Sequence, residues 1–182
     1  MGKQYGSLKQ KDVDFINAQK IFFLASCSLE EVNLSPKGYE SIKVLDSNTL
    51  LYLDYPGSGN RTARDIENDG EITLMFCSFE GKPKILRAFC KGELIEKKDA
   101  QFSELLKHFD ADESLTRRLI KFHIYAVETS CGFGVPLMKY IGRRSELENW
   151  AVKKRDTGEL EKYIEEHKTP PNLKNLGNVT EI

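Results

Sequence analysis

The chain has little with which to build a covalent framework or a metal centre. Among its 182 residues are four cysteines, Cys27, Cys77, Cys90 and Cys131, scattered so that no two form a CxxC pair. Three lie inside apolar, strand-like runs, and reduced thiols that pack as small hydrophobes are expected. The three histidines, His108, His123 and His167, show no metal-ligand spacing, and neither HExxH nor GxSxG occurs. Metal and acyl-transfer chemistry are therefore disfavoured. His123, in a strand-like run before Tyr125, reads as a core or barrel residue, not a catalyst.

An excess of charge of one sign is also missing. Twenty-seven Lys and Arg stand against 28 Asp and Glu, a formal net charge of -1, so no long-range field favours nucleic acid or an anionic membrane. No run approaches the roughly 20 apolar residues of a membrane span, and the polar stretch from Met1 to Asp14 carries no export signal. A cytoplasmic protein with neither nucleic-acid nor membrane partners is expected. The length suits a single domain over residues 1–182, able to bury a core without disulfides or a structural metal.

What is present is mostly alternation. Lys11 to Gln19 has a helical apolar spacing, whereas Ile21 to Cys27, Glu31 to Ser35 and Thr49 to Tyr55 read as strands bounded by turn formers. Asn60 to Asn68 is helical by spacing. Glu71 to Phe79 and Lys84 to Ile95 form a predicted hairpin around Glu80-Gly81-Lys82-Pro83. Asp99 to Phe109 reads as helix, Ile120 to Thr129 as strand, and Ser145 to Glu166 as one charged amphipathic helix containing Trp150. After His167 an extended arm, either mobile or packed on a partner chain, is expected, so that about residues 138–182 make a C-terminal helix and tail. Few helices separate successive strands, which predicts a mainly β fold: an antiparallel barrel with peripheral helices.

Two segments could carry chemistry. Gly57-Ser58-Gly59-Asn60-Arg61-Thr62 lies where a strand ends and a helix begins, a place where backbone N–H groups converge. The glycines permit close approach to an anion, Ser58 and Thr62 offer hydroxyls, and Arg61 offers a charge-assisted fork. The same residues also suit a plain turn with a capped helix and solvated arginines, and the spacing alone does not separate the two. It is neither a Walker loop nor a dinucleotide fingerprint. In Asn33-Leu34-Ser35-Pro36-Lys37-Gly38 a polar strand runs into a proline that ends regular pairing. That strand end is either a ligand wall or an ordinary terminus with a solvated lysine.

Taken in order, the hairpin into Asn33 to Gly38, the strand Leu50 to Asp54, the GSGNRT turn with its helix, and the strand ending Thr73 to Cys77 resemble the pyridoxamine 5'-phosphate oxidase-like FMN-binding proteins. The resemblance covers about Phe15 to Ile95. It continues at Ser130-Cys131-Gly132-Phe133-Gly134-Val135-Pro136, a segment similar to one in an uncharacterised branch of that family. It implies a six-stranded antiparallel split barrel and a homodimer with FMN bound between subunits. Asn33, Leu34, Ser35 and Lys37 would line the flavin, Asp54 would lie at the neighbouring strand end, and Ser58, Gly59, Asn60, Arg61 and Thr62 would hold its phosphate. Thr62 stands where the oxidases usually have Lys, with Arg64 as a candidate compensating charge, and their carboxy-terminal Arg-containing motif is absent. The resemblance implies an FMN-dependent oxidoreductase acting on a small molecule or drawing electrons from a reduced nicotinamide. The alternative is a non-catalytic module holding flavin, deazaflavin or haem. Phe133 and Trp150 are expected to pack at a dimer interface, not to touch the ring.

Overall fold

The structure is a computed structural model that describes residues 2–28, 31–171 and 173. Among the described residues eight strands build one sheet: β1 (Lys3–Tyr5), β2 (Phe22–Cys27), β3 (Asn33–Lys37), β4 (Ile42–Asp46), β5 (Thr49–Asp54), β6 (Glu71–Cys77), β7 (Ile85–Ile95) and β8 (Arg118–Ser130). The order is β3-β2-β6-β7-β8-β5-β4, with every neighbouring pair antiparallel. The sheet curls into a half-barrel with helices at its periphery. β8 holds it together, because its first half pairs with β5 and its second half with β1, while β7 runs along its other edge.

The mainly β architecture matches the sequence expectation, but the count of six strands does not. β1 is three residues long, two of them exposed, and owes its extended form to pairing with β8. β4 is a short edge strand with no fully buried residue. Neither carries a marked pattern, because cross-strand partners and not local preference hold it. β3 also continues through Pro36, which pairs with Phe23. A missing amide is tolerated there because β3 is the outer strand of the sheet.

The concave side is filled by Leu24, Leu50, Ile72, Leu74, Phe76, Leu86 and Phe122, all buried, each worth about 1.5–3 kcal/mol on burial. Phe22 stacks on Phe76 at 5.6 Å and Tyr52 on Phe122 at 6.3 Å. β5 is buried on both faces. Leu50 and Tyr52 point inward, whereas Leu51 and Leu53 meet Phe102 and Leu106 of a short helix, α3 (Phe102–Leu106), on the other side. Strand and helix together therefore fix where β5 ends, and with it the start of the glycine turn.

In chain order the other helices are α1 (Gln10–Ala18), α2 (Arg61–Glu67), α4 (Glu146–Asp156) and α5 (Leu160–Glu166). The single helix expected over Ser145 to Glu166 is interrupted where Gly158 takes φ +71°, a left-handed conformation that favours glycine and stops a helix. The two halves fold back on each other, with Trp150 4.7 Å from Tyr163 edge to face. Between β8 and α4 the chain has no helix or strand and carries Phe133, Leu137 and Ile141 at 80%, 80% and 95% exposure. Phe133 thus does not pack within this chain. Residue 172 and residues 174–182 of the expected arm lie outside the described residues. No helix among the described residues is long and apolar enough to cross a membrane.

Candidate cofactor cleft

Period-two geometry makes β3 one wall of a cleft. Asn33, Ser35 and Lys37 fall on one face and line it, while Leu34 falls on the other and is 63% exposed. The floor comes from Tyr52 and Asp54 of β5 and Ile120 of β8, and the opposite wall from Gly59, Asn60, Arg61 and Thr62. Ser58 stands exposed at the tip of the turn, outside the lining. Of the ten residues singled out from sequence, eight therefore converge on one cleft and Leu34 and Ser58 do not. Within this one chain the cleft encloses about 40 Å³ and is partly open to solvent, far less than a complete small-molecule site offers.

The cleft is rich in fixed cation. Lys37 is largely buried, and that burial pulls its amine below the usual lysine range; Asp54 opposes the shift and Arg117 adds to it. Burial holds the Tyr52 phenol well above its ordinary value, so it stays a neutral hydroxyl. Arg117, which the sequence reading missed, grips both oxygens of Asp54 at 2.9 and 3.1 Å. The same guanidinium donates to the carbonyls of Gly57 at 3.1 Å and Gly59 at 2.8 Å. Arg118 lies opposite Asp54 in the β5–β8 register and 3.9 Å from its carboxylate. The Arg117-Arg118 pair was visible in the sequence, but only strand register brings it to the glycine turn.

Around the turn, Asn33 Nδ2 donates to Thr62 Oγ1 at 3.1 Å and to Ser26 Oγ at 3.2 Å. Ser26 and Ser28 in turn donate to the buried Asp65 carboxylate at 2.6 and 2.8 Å. Arg64 is committed to Asp65 and Glu31, so it does not supply the charge that a lysine at position 62 would. Glu31 is held below the usual carboxylate range by its hydrogen bond from Arg64. The start of the C-terminal segment lies across the same turn: Asn60 Nδ2 donates to the Lys168 carbonyl and Arg61 to that of Pro171 at 3.1 Å. This fixes the Asn60 amide so that its buried Oδ1 is left without a partner among the described residues.

The thiols and histidines take no part in this cleft. Cys77 and Cys90 are buried and free, with burial raising both thiols, but Cys131 is exposed and so is not the packing residue expected. His123 is exposed as well, on the convex face, paired with Glu93 at 2.9 Å. A core role for it is corrected: alternation along β8 turns it outward beside buried Phe122. No cluster of His, Cys, Asp or Glu among the described residues could hold a metal ion.

Residues 8–131 match the family model for pyridoxamine 5'-phosphate oxidase, a span that includes the whole cleft. The chain belongs to the pyridoxamine 5'-phosphate oxidase family. It is 37% identical over 139 residues to the pyridoxamine 5'-phosphate oxidase family protein ustO of Aspergillus flavus, covering 74% of this chain and 56% of that one. The chain thus spans little more than half the length of that relative. The fold is shared with a Lactobacillus delbrueckii protein assigned to the pyridoxamine 5'-phosphate oxidases (TM-score 0.54, 18% identity, 66% of this chain and 93% of that one). It is also shared with a variant of HupZ from Group A Streptococcus (TM-score 0.56, 18% identity, 67% of this chain and 98% of that one). The curled sheet described above is the split-barrel architecture of these neighbours.

Proposed function

We propose that the cleft binds FMN, with the phosphate at the glycine turn and the ring along β3, and that the protein is an oxidoreductase acting on a small molecule. The observation that carries this reading is the convergence of Asn33, Ser35 and Lys37 with Asn60, Arg61 and Thr62 on one cleft. Arg61, Thr62 and the turn amides suit a phosphate, because anions are held best by charge-assisted donors and backbone N–H groups. The unpartnered Asn60 Oδ1 is an acceptor, and it suits a hydroxyl of a ribityl chain. Ser35 and Asn33 supply polar contacts beside it, and buried Tyr52 and Ile120 supply an apolar floor.

Bound there, the flavin supplies hydride or electron transfer. The chain's own residues orient it and set the local charge. Lys37 is the cation positioned to offset negative charge on the ring, and its effect is strengthened by partial removal from water. The open side of the cleft and the exposed Phe133, Leu137 and Ile141 favour a second copy of the chain as the remaining wall, giving a homodimer. A reduced nicotinamide is the electron donor we propose.

The test is the visible spectrum of the purified protein with and without added FMN, followed by anaerobic addition of NADPH. Flavin bands that bleach and recover in air support the oxidoreductase. Bands that persist leave a flavin-binding module without this donor. A protein that stays colourless and fails to bind FMN removes the proposal.

A further inference from the structure

The ion pair beneath the glycine turn has a geometry that simple charge neutralisation does not require. Asp54 and Arg117 are 7% exposed each, so this is a buried pair that demands full hydrogen bonding. Two of the guanidinium's hydrogen bonds go to Asp54, and two more go to the carbonyls of Gly57 and Gly59. The backbone adds a fifth link, because the Arg117 amide donates to the Asp54 carbonyl at 2.9 Å. Arg117 therefore ties the end of β5 to both flexible residues of the turn that follows it.

A trans peptide sets its C=O and the next N–H in opposite directions, and the described chain has no cis bond. With the Gly57 and Gly59 carbonyls drawn to Arg117, the N–H groups of Ser58 and Asn60 point away from it. Neither has a backbone acceptor among the described residues. Glycine at 57 and 59 would otherwise sample many backbone states, and a Cβ at either position meets nothing within 4 Å, so no packing restrains them.

We propose that Arg117, braced by Asp54, is the positioning residue of the phosphate-binding turn, setting the orientation of its amides without itself being a ligand. This rests on the phosphate reading of the turn. It also changes the part played by Asp54, whose carboxylate is committed to Arg117 and not to a cofactor.

Because the role concerns the phosphate end alone, the readout is the preference for FMN over riboflavin, measured by titration on the full-length protein. Arg117→Lys keeps the charge beside Asp54 but cannot reach four acceptors with a fork. The expected result is a preference at least tenfold smaller, with riboflavin affinity unchanged. An Arg117→Lys protein that keeps the parental preference overturns the proposal, as does one that loses affinity for both flavins equally. Should that variant fail to fold, Asp54→Leu/Arg117→Leu removes the pair without leaving a buried charge, and the same loss of preference is expected.

A second measurement separates this inference from the flavin reading. Inorganic phosphate titrated into labelled parent protein should shift the amide resonances of Ser58 and Asn60, and Arg117→Lys should abolish those shifts. Shifts in the parent without FMN binding would leave the positioning role standing and remove the flavin. No shift in the parent would overturn the positioning role.

Discussion

Asn33 of β3 reaches across to the first turn of α2, its Nδ2 lying 3.1 Å from Thr62 Oγ1 and 3.2 Å from Ser26 Oγ. One side chain thus joins the edge strand, its neighbour β2 and the helix that follows the glycine turn. Asn33→Ala removes both bonds and should destabilise the protein by about 1–2 kcal/mol. Urea unfolding measures this, and an unchanged midpoint would show that the link contributes nothing in solution. FMN affinity should fall along with it, since Thr62 is then free to rotate.

The C-terminal segment occupies two side chains of the proposed phosphate turn. Asn60 and Arg61 both donate to its carbonyls, and Pro170 between them is buried. Pro170→Glu should unseat the segment and tighten FMN binding by a factor of about three to ten, the reach of one or two released hydrogen bonds. Flavin fluorescence quenching reads the change. Weaker binding would instead mark the segment as part of the site's wall.

Gly70 closes α2 against the end of β2. A Cβ there would sit 2.7 Å from the carbonyl oxygens of both Asp65 and Cys27, backbone atoms that cannot swing aside. Gly70→Ala should cost about 2 kcal/mol and lower Tm by about 5 °C, as calorimetry would show. A neutral substitution would mean that α2 shifts freely, contrary to the hydrogen bonds from Ser26 and Ser28 that hold its buried Asp65.

Asp12 is buried at the start of α1 and accepts from Tyr5 at 2.8 Å, Lys84 at 3.0 Å and the Lys9 amide at 3.1 Å. Burial pushes its carboxyl up, but the bonds from Lys84, Tyr5 and Lys9 outweigh that and leave it below its ordinary value of 3.8. A carboxyl depressed in the folded state binds fewer protons there than when unfolded. Its stabilising contribution is complete above 3.8 and is lost as pH falls below that through the folded value. Asp12→Asn should therefore be about 1–3 kcal/mol less stable at pH 7, and its acid unfolding curve below pH 4 should be shallower than the parent's. Parallel curves would contradict the assignment.

Lys37 faces the proposed ring position with a charge partly stripped of water. Lys37→Met should make the potential of bound flavin more negative by about 30 mV, the equivalent of about 1.4 kcal/mol for two electrons. Equilibration with redox dyes measures it, and a matching potential and affinity would remove Lys37 from the account.

Much of the cleft's lining was legible in the sequence. Period-two alternation places Asn33, Ser35 and Lys37 together and Leu34 apart, and the composition of GSGNRT announces a turn that can approach an anion. The alternation itself, however, cannot say which partner strand a face meets. Arg117 sits some sixty positions from the turn it grips, and only the β5–β8 register, Asp54 opposite Arg118, sets it there. The commitment of Arg64 to Asp65 and Glu31 was hidden for the same reason. Charge on a helix face is local information, whereas the identity of its partner is not.

Short-range pattern and motif were enough for the mainly β class, the long β6–β7 hairpin and the family. The three-dimensional fold was needed to see that the sheet of the described residues has eight strands and that the expected C-terminal helix folds back on itself at Gly158. It alone brought a buried arginine to the glycine turn and laid Lys168 and Pro171 across Asn60 and Arg61. The physical reason is common to all of these. Edge strands, buried ion pairs and chain-end contacts draw their free energy from groups distant in sequence, and no local preference encodes which distant group will arrive.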